Sequence, residues 1–154
     1  MKVRIELVKD ISEDEVIIKC KTLDNKIQKL EKVITEITDA EPGITFYKEN
    51  IEYYFDINKI IFFETTGNYV YAHTKNEVYQ VKYRLYELEQ ILPNNFIRVS
   101  KGAILNCKLI YSIKKSLTSS SLVQFEDSHK QVYVSRYYYK QLQEILAERR
   151  NYEI

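Results

Sequence analysis

The sequence contains few residues that break regular structure, and it has no tryptophan. Its 154 residues include only three glycines and two prolines, against roughly eleven and eight at average frequencies of about 7% and 5%. The glycines stand singly at positions 43, 67 and 102, which excludes a phosphate-cradling glycine loop and a glycine-rich linker. We therefore expect a chain that is folded over most of its length.

Long apolar runs and cysteine clusters are also missing. No apolar stretch approaches the roughly 20 residues that a membrane-spanning helix needs. Charged residues near the N-terminus interrupt what would be the apolar part of a signal peptide. Cys20 and Cys107 lie far apart and lack metal-ligand spacing. We expect a cytoplasmic protein with two reduced thiols; a disulfide between them is the alternative.

Residue patterns that support catalysis or metal binding are absent as well. His73 and His129 lie in predicted strand or turn contexts, without nucleophile spacing and without a His/Cys cluster. Glu64 follows an apolar strand and is best explained as a structural or solvated carboxylate. We expect no cofactor, no metal site and no enzymatic activity.

Charge is balanced over the whole chain but not along it. The sequence has 23 Lys and Arg against 22 Asp and Glu, a net charge of +1. Residues 1–57 carry nine basic and thirteen acidic side chains, whereas residues 58–154 carry fourteen and nine. Residues 98–140 alone carry eight basic and two acidic side chains, a balance of +6. Because Lys and Arg neutralise phosphates, this segment suggests a nucleic-acid partner; an ordinary solvated surface is the alternative.

Apolar periodicity predicts a small strand–strand–helix element at the start of the chain. Alternation over residues 3–7 and an apolar stretch over residues 16–20 predict two strands. Three- and four-residue spacing over residues 27–37 predicts a helix capped by Asp24 or Asn25. The Pro-Gly pair that follows predicts a boundary. Residues 1–43 would then form an accessory or dimerisation element.

Short β segments dominate residues 44–150, the predicted second domain. The predicted strands cover residues 44–48, 51–55, 60–63, 69–73, 78–81, 96–99, 111–115, 122–125 and 131–135, and the predicted helices cover residues 85–92 and 137–150. The fold class is therefore mainly β with short helices, or α+β overall.

Two long cations follow a serine at predicted strand ends, in Ser100-Lys101 and Ser135-Arg136. Arginine can pair with guanine edges through two hydrogen bonds, and serine can contact phosphates or bases. Turns that carry such side chains could enter a DNA groove.

An ordered set of motifs extends this hypothesis. It comprises residues 56–64 (DINKIIFFE), 67–70 (GNYV), 85–89 (LYELE), 96–106 (FIRVSKGAILN) and 134–136 (VSR). Together these motifs resemble the LytTR DNA-binding domain, over roughly residues 44–148. The resemblance implies a stack of small antiparallel sheets whose loops enter successive major grooves of promoter DNA, usually over direct repeats.

Carried over onto this sequence, the resemblance places DNA contacts in three loops. They are Asn68 or Tyr69 in the first, Ser100 and Lys101 in the second, and Arg136 in the third. Many members of the family have His in place of Ser100, and a hydroxyl and an imidazole read different base edges. The base preference of this chain is therefore expected to differ.

Several further residues are weaker candidates. Lys114 and Lys115 are candidate phosphate contacts, and ordinary surface lysines are the alternative. At most one or two of the tyrosines at 137–139 can face DNA, with Tyr138 as the candidate, and the others should pack. Arg98 could contact phosphate or pair with Glu64 or Glu87. Asn106 is expected to cap or close a turn.

The sequence therefore predicts a stand-alone transcriptional regulator that binds double-stranded DNA. A homodimer and a small membrane-protein partner encoded nearby are further expectations from the resemblance. The alternative is a protein-interaction module that controls a membrane or signalling partner without binding DNA.

Overall fold

The computed structural model describes residues 1–39 and 43–152. The chain divides into two units, Met1–Ala40 and Glu41–Ile154. The predicted boundary at residues 41–43 lies mostly outside the described residues. None of the helices in the described parts is long and apolar enough to cross a membrane.

The helix of the first unit is α1 (Asn25–Asp39). The Asp24 carboxylate caps it, because its Oδ1 accepts a hydrogen bond of 2.9 Å from the Ile27 amide. The helix and one of its two predicted caps are thus confirmed. The strands predicted over residues 3–7 and 16–20 are wrong for the single chain, since residues 1–24 contain no strand. A strand needs a hydrogen-bonded partner, and neither segment finds one among the described residues.

Within its described residues the second unit consists of ten strands and two α-helices, with short 3-10 helices at Ile57–Lys59 and Cys107–Leu109. In chain order they are β1 (Phe46–Lys48), β2 (Ile51–Tyr53), β3 (Phe62–Thr66), β4 (Tyr69–His73), β5 (Val78–Val81), α2 (Leu85–Ile91), β6 (Phe96–Ser100), β7 (Ala103–Asn106), β8 (Ile110–Lys114), β9 (Ser121–Phe125), β10 (Gln131–Val134) and α3 (Arg136–Tyr152). The strands form a seven-stranded sheet in the order β2-β1-β5-β4-β3-β7-β6 and a three-stranded sheet in the order β10-β9-β8. All the pairings are antiparallel, and the predicted fold class, mainly β with short helices, is confirmed.

Turn chemistry explains two of the hairpins. Glu49 and Asn50 both have positive φ, 52° and 63°, as a two-residue type I′ turn between β1 and β2 requires. Gly67 opens the turn between β3 and β4 with a φ of 63°. This left-handed conformation costs glycine nothing but strains most other residues. Tight turns hold the strand registers, and hence the turn residues, in fixed positions.

Sequence patterning missed β7, which lies between β3 and β6. All four of its residues are buried, because both faces of the sheet are covered at this strand and successive side chains point into the core on opposite faces. A strand covered on both faces lacks the alternation of apolar and polar residues by which strands are predicted. This interior strand therefore left no periodic signal.

The two faces of the large sheet contact separate hydrophobic clusters. Phe63, Leu88 and Ile104 belong to a cluster that includes residues of α2. The next residue on β7, Leu105, belongs to a second cluster, which includes Leu142 of α3 and residues of β9 and β10. The small sheet and α3 thus cover one face of the large sheet, and α2 covers part of the other.

Asn106 closes the end of β7, as predicted. Its Oδ1 accepts hydrogen bonds from the Lys108 amide at 3.1 Å and from Asn95 Nδ2 at 2.8 Å. Its Nδ2 donates to the Ile60 carbonyl at 3.1 Å. With its side chain 1% exposed, these bonds supply the partners that a buried amide needs.

Truncation of a buried side chain on β7 tests the two-cluster core. Leu105→Ala removes a side chain that is 0% exposed, and we expect the free energy of unfolding to fall by about 2–5 kcal/mol. Urea denaturation measures it. Leu117→Ala makes the same change at a residue that is 84% exposed and should change stability by less than about 0.5 kcal/mol. Equal effects of the two substitutions would contradict the assignment.

Candidate nucleic-acid interface

The first predicted contact loop is the two-residue turn between β3 and β4. Thr66 pairs with Tyr69 across the turn, which leaves Gly67 and Asn68 at its tip. Asn68 is exposed, and Tyr69 is 55% exposed. Both candidate side chains of this loop are therefore accessible.

The second predicted loop is the turn between β6 and β7. Ser100 pairs with Ala103, after a register shift between Arg98 and Ser100. The Ser100 Oγ accepts a hydrogen bond of 3.2 Å from the Gly102 amide. This bond closes the turn and leaves the Lys101 side chain exposed at its tip.

The sheet holds the first two turns side by side. β3 pairs with β7, with Glu64 opposite Ala103. One residue further along, the Thr65 amide donates a hydrogen bond of 2.8 Å to the Gly102 carbonyl. The end of β3 and the start of β7 therefore lie at the same end of the second unit.

The third predicted loop, at Arg136, is anchored to the same end. The Ser135 amide donates a hydrogen bond of 2.8 Å to the Val99 carbonyl of β6. The Ser135 carbonyl in turn accepts from the amides of Tyr138 and Tyr139, at 3.1 and 3.0 Å. These bonds start α3, so exposed Arg136 stands beside the end of β6.

The small sheet brings Lys114 and Lys115 to this end as well. β10 ends at Val134, which pairs with Ser121 at the start of β9, and Lys114 at the end of β8 pairs with Leu122. A pocket of about 190 Å³ between these segments is lined by Lys115, Ser116, Leu117, Ser119, Ser121, Arg136 and Tyr139. We call Asn68, Tyr69, Ser100, Lys101, Lys114, Lys115 and Arg136 the basic end.

Arg98 is a structural neighbour of the basic end. Its Nε donates to the Ser100 carbonyl at 2.7 Å and its Nη2 donates to the Lys101 carbonyl. Its Nη1 lies 3.3 Å from Glu89 Oε1, and the side chain is 20% exposed. The predicted alternative, an ion pair with a nearby glutamate, is thus what the structure contains, although the partner is Glu89 and not Glu64 or Glu87. Arg98 ties the second turn to α2.

Lys130 is a second cation engaged in the fold. Its Nζ donates to the carbonyls of Thr74 and Glu77 at 2.9 and 2.7 Å, at the end of the strands opposite the basic end. Burial lowers its pKa, and Glu77 and Glu64 oppose the shift. The +6 segment therefore does not act as one patch, because Arg98 and Lys130 already have partners.

The cations of the basic end differ from these two. Among the described residues, Lys101, Lys114 and Arg136 have no ion-pair partner, and the Lys115 Nζ lies 5.7 Å from the centre of the Tyr139 ring. At the opposite end, by contrast, the Lys75 Nζ lies 3.4 Å from Asp127 Oδ2. Exposed unpaired cations concentrated at one end of the strands form a surface suited to a polyanion.

The start of α3 changes the choice among the tyrosines. Tyr138 is half-buried and packs against the second cluster, whereas Tyr137 is 84% exposed. Tyr137 contacts Tyr138 edge-on, with 5.0 Å between the ring centres, yet it presents a far more exposed ring than Tyr138. Lys140, exposed one helical turn after Arg136, shares a face of α3 with it. Helical phase could have indicated Lys140 from the sequence, but the burial of Tyr138 depends on tertiary packing.

Buried His73 pairs with the more exposed Glu64 in the large sheet. His73 Nε2 lies 2.7 Å from Glu64 Oε1, and the imidazole stacks on Phe62 with 4.2 Å between ring centres. Burial lowers the pKa of His73; Glu64 opposes this shift, and Lys130 adds to it. His73 Nδ1 is buried without a hydrogen-bond partner among the described residues. A neutral ring that donates through Nε2 fits this site, because a protonated ring would bury a second, unpaired N–H.

The His73 site predicts a pH dependence of stability. Because the folded-state pKa lies below the ordinary value of 6.5, the unfolded chain binds more protons as the pH falls through 6.5. The free energy of unfolding should therefore decrease below about pH 6.5. Urea titrations between pH 7.5 and 5.5 should show this decrease in the natural chain and in His129→Gln, an exposed control, but less of it in His73→Gln. A stability that rises on acidification would contradict the assignment.

Comparison with known proteins identifies the domain. The LytTr DNA-binding domain family matches residues 52–147. The chain belongs to this family. The expected resemblance is thereby confirmed, and the family is defined by DNA binding and not by an enzymatic reaction.

Individual relatives match almost the whole chain, and a solved structure shares the fold of the second unit. An uncharacterized HTH-type transcriptional regulator of Staphylococcus aureus strain NCTC 8325 / PS 47 is 28% identical over 149 residues, which cover 96% of this chain and 99% of the relative. A protein of the same description from strain bovine RF122 / ET3-1 is 26% identical over 147 residues, with the same coverage. The structure of a Bacillus cereus LytTr DNA-binding domain superposes with a TM-score of 0.63 at 23% identity, covering 68% of this chain and 97% of that one.

The helices in the described parts of the chain are not arranged as a helix–turn–helix. Five strands separate α1 from α2, and five more separate α2 from α3. The described residues therefore contain no pair of consecutive helices joined by a short turn, the motif that the relatives' description names. In this chain the LytTr fold presents turns and the start of one helix at the basic end.

Proposed function

We propose that this protein is a sequence-specific transcriptional regulator whose basic end enters the major grooves of promoter DNA, over direct repeats. One observation carries the proposal: the sheet register and two backbone hydrogen bonds bring three separate loops to one end, where, among the described residues, the exposed Lys101, Lys114 and Arg136 have no ion-pair partner. Such an end supplies both phosphate attraction and projecting side chains.

Phosphate contacts fall to the lysines of the basic end and to Lys140. Lys101, Lys114 and Lys115 lie at or next to turns, so their long side chains can follow the DNA backbone on either side of a groove. An ammonium group attracts phosphate as a point charge and carries little base preference. These residues would therefore provide affinity and orientation.

Base recognition falls to Arg136 and Asn68, with a further contribution from Ser100. A guanidinium can make two hydrogen bonds to guanine and an amide two to adenine. The Ser100 Oγ accepts from Gly102, so its hydroxyl hydrogen is still available to donate to a base or phosphate. Tyr69 and Tyr137 offer exposed rings for contact with the sugars or the thymine methyl groups.

Arg98 would act on DNA binding indirectly. Through its bonds to the carbonyls of Ser100 and Lys101 and its ion pair with Glu89, it fixes the second turn before DNA arrives. Such preorganisation reduces the conformational entropy that binding must overcome. We therefore assign Arg98 a positioning role.

Arg136 provides the test of base recognition. Arg136→Ala should weaken binding to the preferred site by about 1–3 kcal/mol and relax the preference at one repeat position. Arg136→Lys is the matched variant: it keeps the charge and loses the paired hydrogen bonds, so some affinity should return without the preference. Gel-shift titration against the upstream region and single-base variants of it measures both. An unchanged preference in Arg136→Ala would contradict the assignment.

Lys115 provides the test of the phosphate contacts. Binding should weaken steeply with salt, and Lys115→Ala should lower the slope of log K against log salt by about one, equally for every DNA sequence. Lys75→Ala removes a lysine paired with Asp127 at the opposite end and should leave the slope unchanged. Binding that does not respond to salt would refute the proposed interface.

A further inference from the structure

The first unit exposes an unusual amount of apolar side chain. None of residues 1–38 is buried, although this segment is rich in Val, Ile and Leu. The exposed large apolar residues are Met1, Val3, Ile5, Leu7, Val8, Ile11, Val16, Ile17, Leu23, Val33 and Ile37. Leu7, Val3 and Ile5 are 95%, 91% and 85% exposed. The described residues of the first unit do not bury these side chains among themselves.

The helix of this unit is incompletely covered too. Ile27, Leu30 and Ile34 of α1 are half-buried, whereas Val33 and Ile37 are 51% and 72% exposed. The apolar stripe of an amphipathic helix is normally buried against another element, because packing of that face supplies most of its stability. The stripe of α1 is thus available to a further surface.

The small size of the first unit also indicates that it needs a further source of stability. The unit spans residues 1–40, and units of about 40 residues rarely bury enough apolar surface to offset the entropy of ordering the chain, unless a disulfide, a metal or a second subunit helps. Its cysteine, Cys20, is a free and exposed thiol. A second subunit would cover the apolar side chains directly.

The sequence of residues 2–8 is complementary to itself. In an antiparallel pairing of two copies centred on Ile5, Val3 lies opposite Leu7 and Arg4 lies opposite Glu6. The apolar residues 3, 5 and 7 of both copies then share one face, and two pairs of opposite charges stabilise the other face. A two-fold symmetric interface requires this kind of self-complementarity.

We propose that the first unit is a homodimerisation element in which residues 2–8 of two copies form antiparallel strands around Ile5. Residues 16–20 extend each side of this sheet, and the exposed stripes of the two α1 helices cover its apolar face. The strand patterns that remain unpaired in the single chain find their partners in the second copy. An isolated pair of strands is only marginally stable in water and needs further strands or a packed helix. The two added strands and the α1 helices supply both.

The S. aureus relatives share this part of the chain. Their alignment covers 96% of the chain, so it extends well beyond residues 52–147, the part that matches the DNA-binding family. The dimer proposal stands independently of DNA binding, because it uses only residues of the first unit.

The oligomeric state of the full chain is the primary test. Light scattering on the purified protein should give a mass of about twice 18.4 kDa. Ile5→Asp places two carboxylates at the symmetry axis and should raise the dimer dissociation constant at least about tenfold, or 1.4 kcal/mol. Ile51→Asp makes the same change at a residue of the second unit that is 52% exposed, and it should leave the dimer intact.

Charge exchange tests the register and does not depend on how well each variant folds alone. Arg4→Glu and Glu6→Arg should each weaken the homodimer, because like charges then face each other. Mixing the two variants should restore association, since every opposed pair is again of opposite sign. Combining both changes in one chain should restore the homodimer.

Cross-linking locates the symmetry axis. In a Cys20→Ser background, Ile5→Cys should form a disulfide between two chains on mild oxidation, because opposed residues lie within bonding distance. Val3→Cys should not, since its two copies would be about 13 Å apart along the strands.

Three results would overturn the proposal. They are a full chain that is monomeric at all accessible concentrations, a dimer that Ile5→Asp does not weaken, and charge variants that do not associate when mixed. If the full chain is a monomer, the apolar surface of the first unit must bind a different partner, such as the small membrane protein expected from the resemblance.

Discussion

The pairing of β3 with β7 is the constraint on which the rest of the second unit depends. β7 is buried along its whole length, and its successive residues enter opposite hydrophobic clusters. A slip of one residue would exchange the two clusters, so packing fixes the register. The same register places the Gly102 carbonyl 2.8 Å from the Thr65 amide and thereby sets the first two turns side by side. The geometry of the basic end is thus a consequence of core packing.

The basic side chains divide into two groups with different roles. Arg98 and Lys130 are partly buried and donate hydrogen bonds to backbone carbonyls at opposite ends of the strands. The lysines at the basic end, together with Arg136, have exposed heads. A buried cation without partners would be costly, whereas an exposed one costs little and keeps its charge available. Burial is therefore what separates a structural cation from a candidate phosphate contact, and charge counts along the sequence do not contain that information.

Local signals accounted for most of the fold and for part of the candidate site. The Glu49-Asn50 and Gly67-Asn68 turns, the Asp24 cap and the short helices follow from local chemistry, and nine of the ten strands were predicted from apolar patterns. β7 was missed because burial on both faces removes the alternation. The partner of Arg98 and the burial of Tyr138 depend on contacts between distant segments. The strands predicted before residue 21 were wrong for the opposite reason. Their apolar alternation is typical of a strand, but no segment among the described residues pairs with them.

The division into units also changes the meaning of the net charge. Residues 41–154 carry fifteen basic and thirteen acidic side chains, and residues 1–40 carry eight and nine. The DNA-binding unit therefore has a net charge of only +2, and attraction to DNA must come from the arrangement of its charges. At the end opposite the basic end, Asp127 pairs with Lys75 and Glu77 pairs with Lys48, so these charges partly cancel, whereas Lys101, Lys114 and Arg136 have no ion-pair partner among the described residues and are left to attract phosphates. If two copies are joined through their first units, the second copy binds its repeat at a high effective concentration, which compensates for weak attraction of each copy alone.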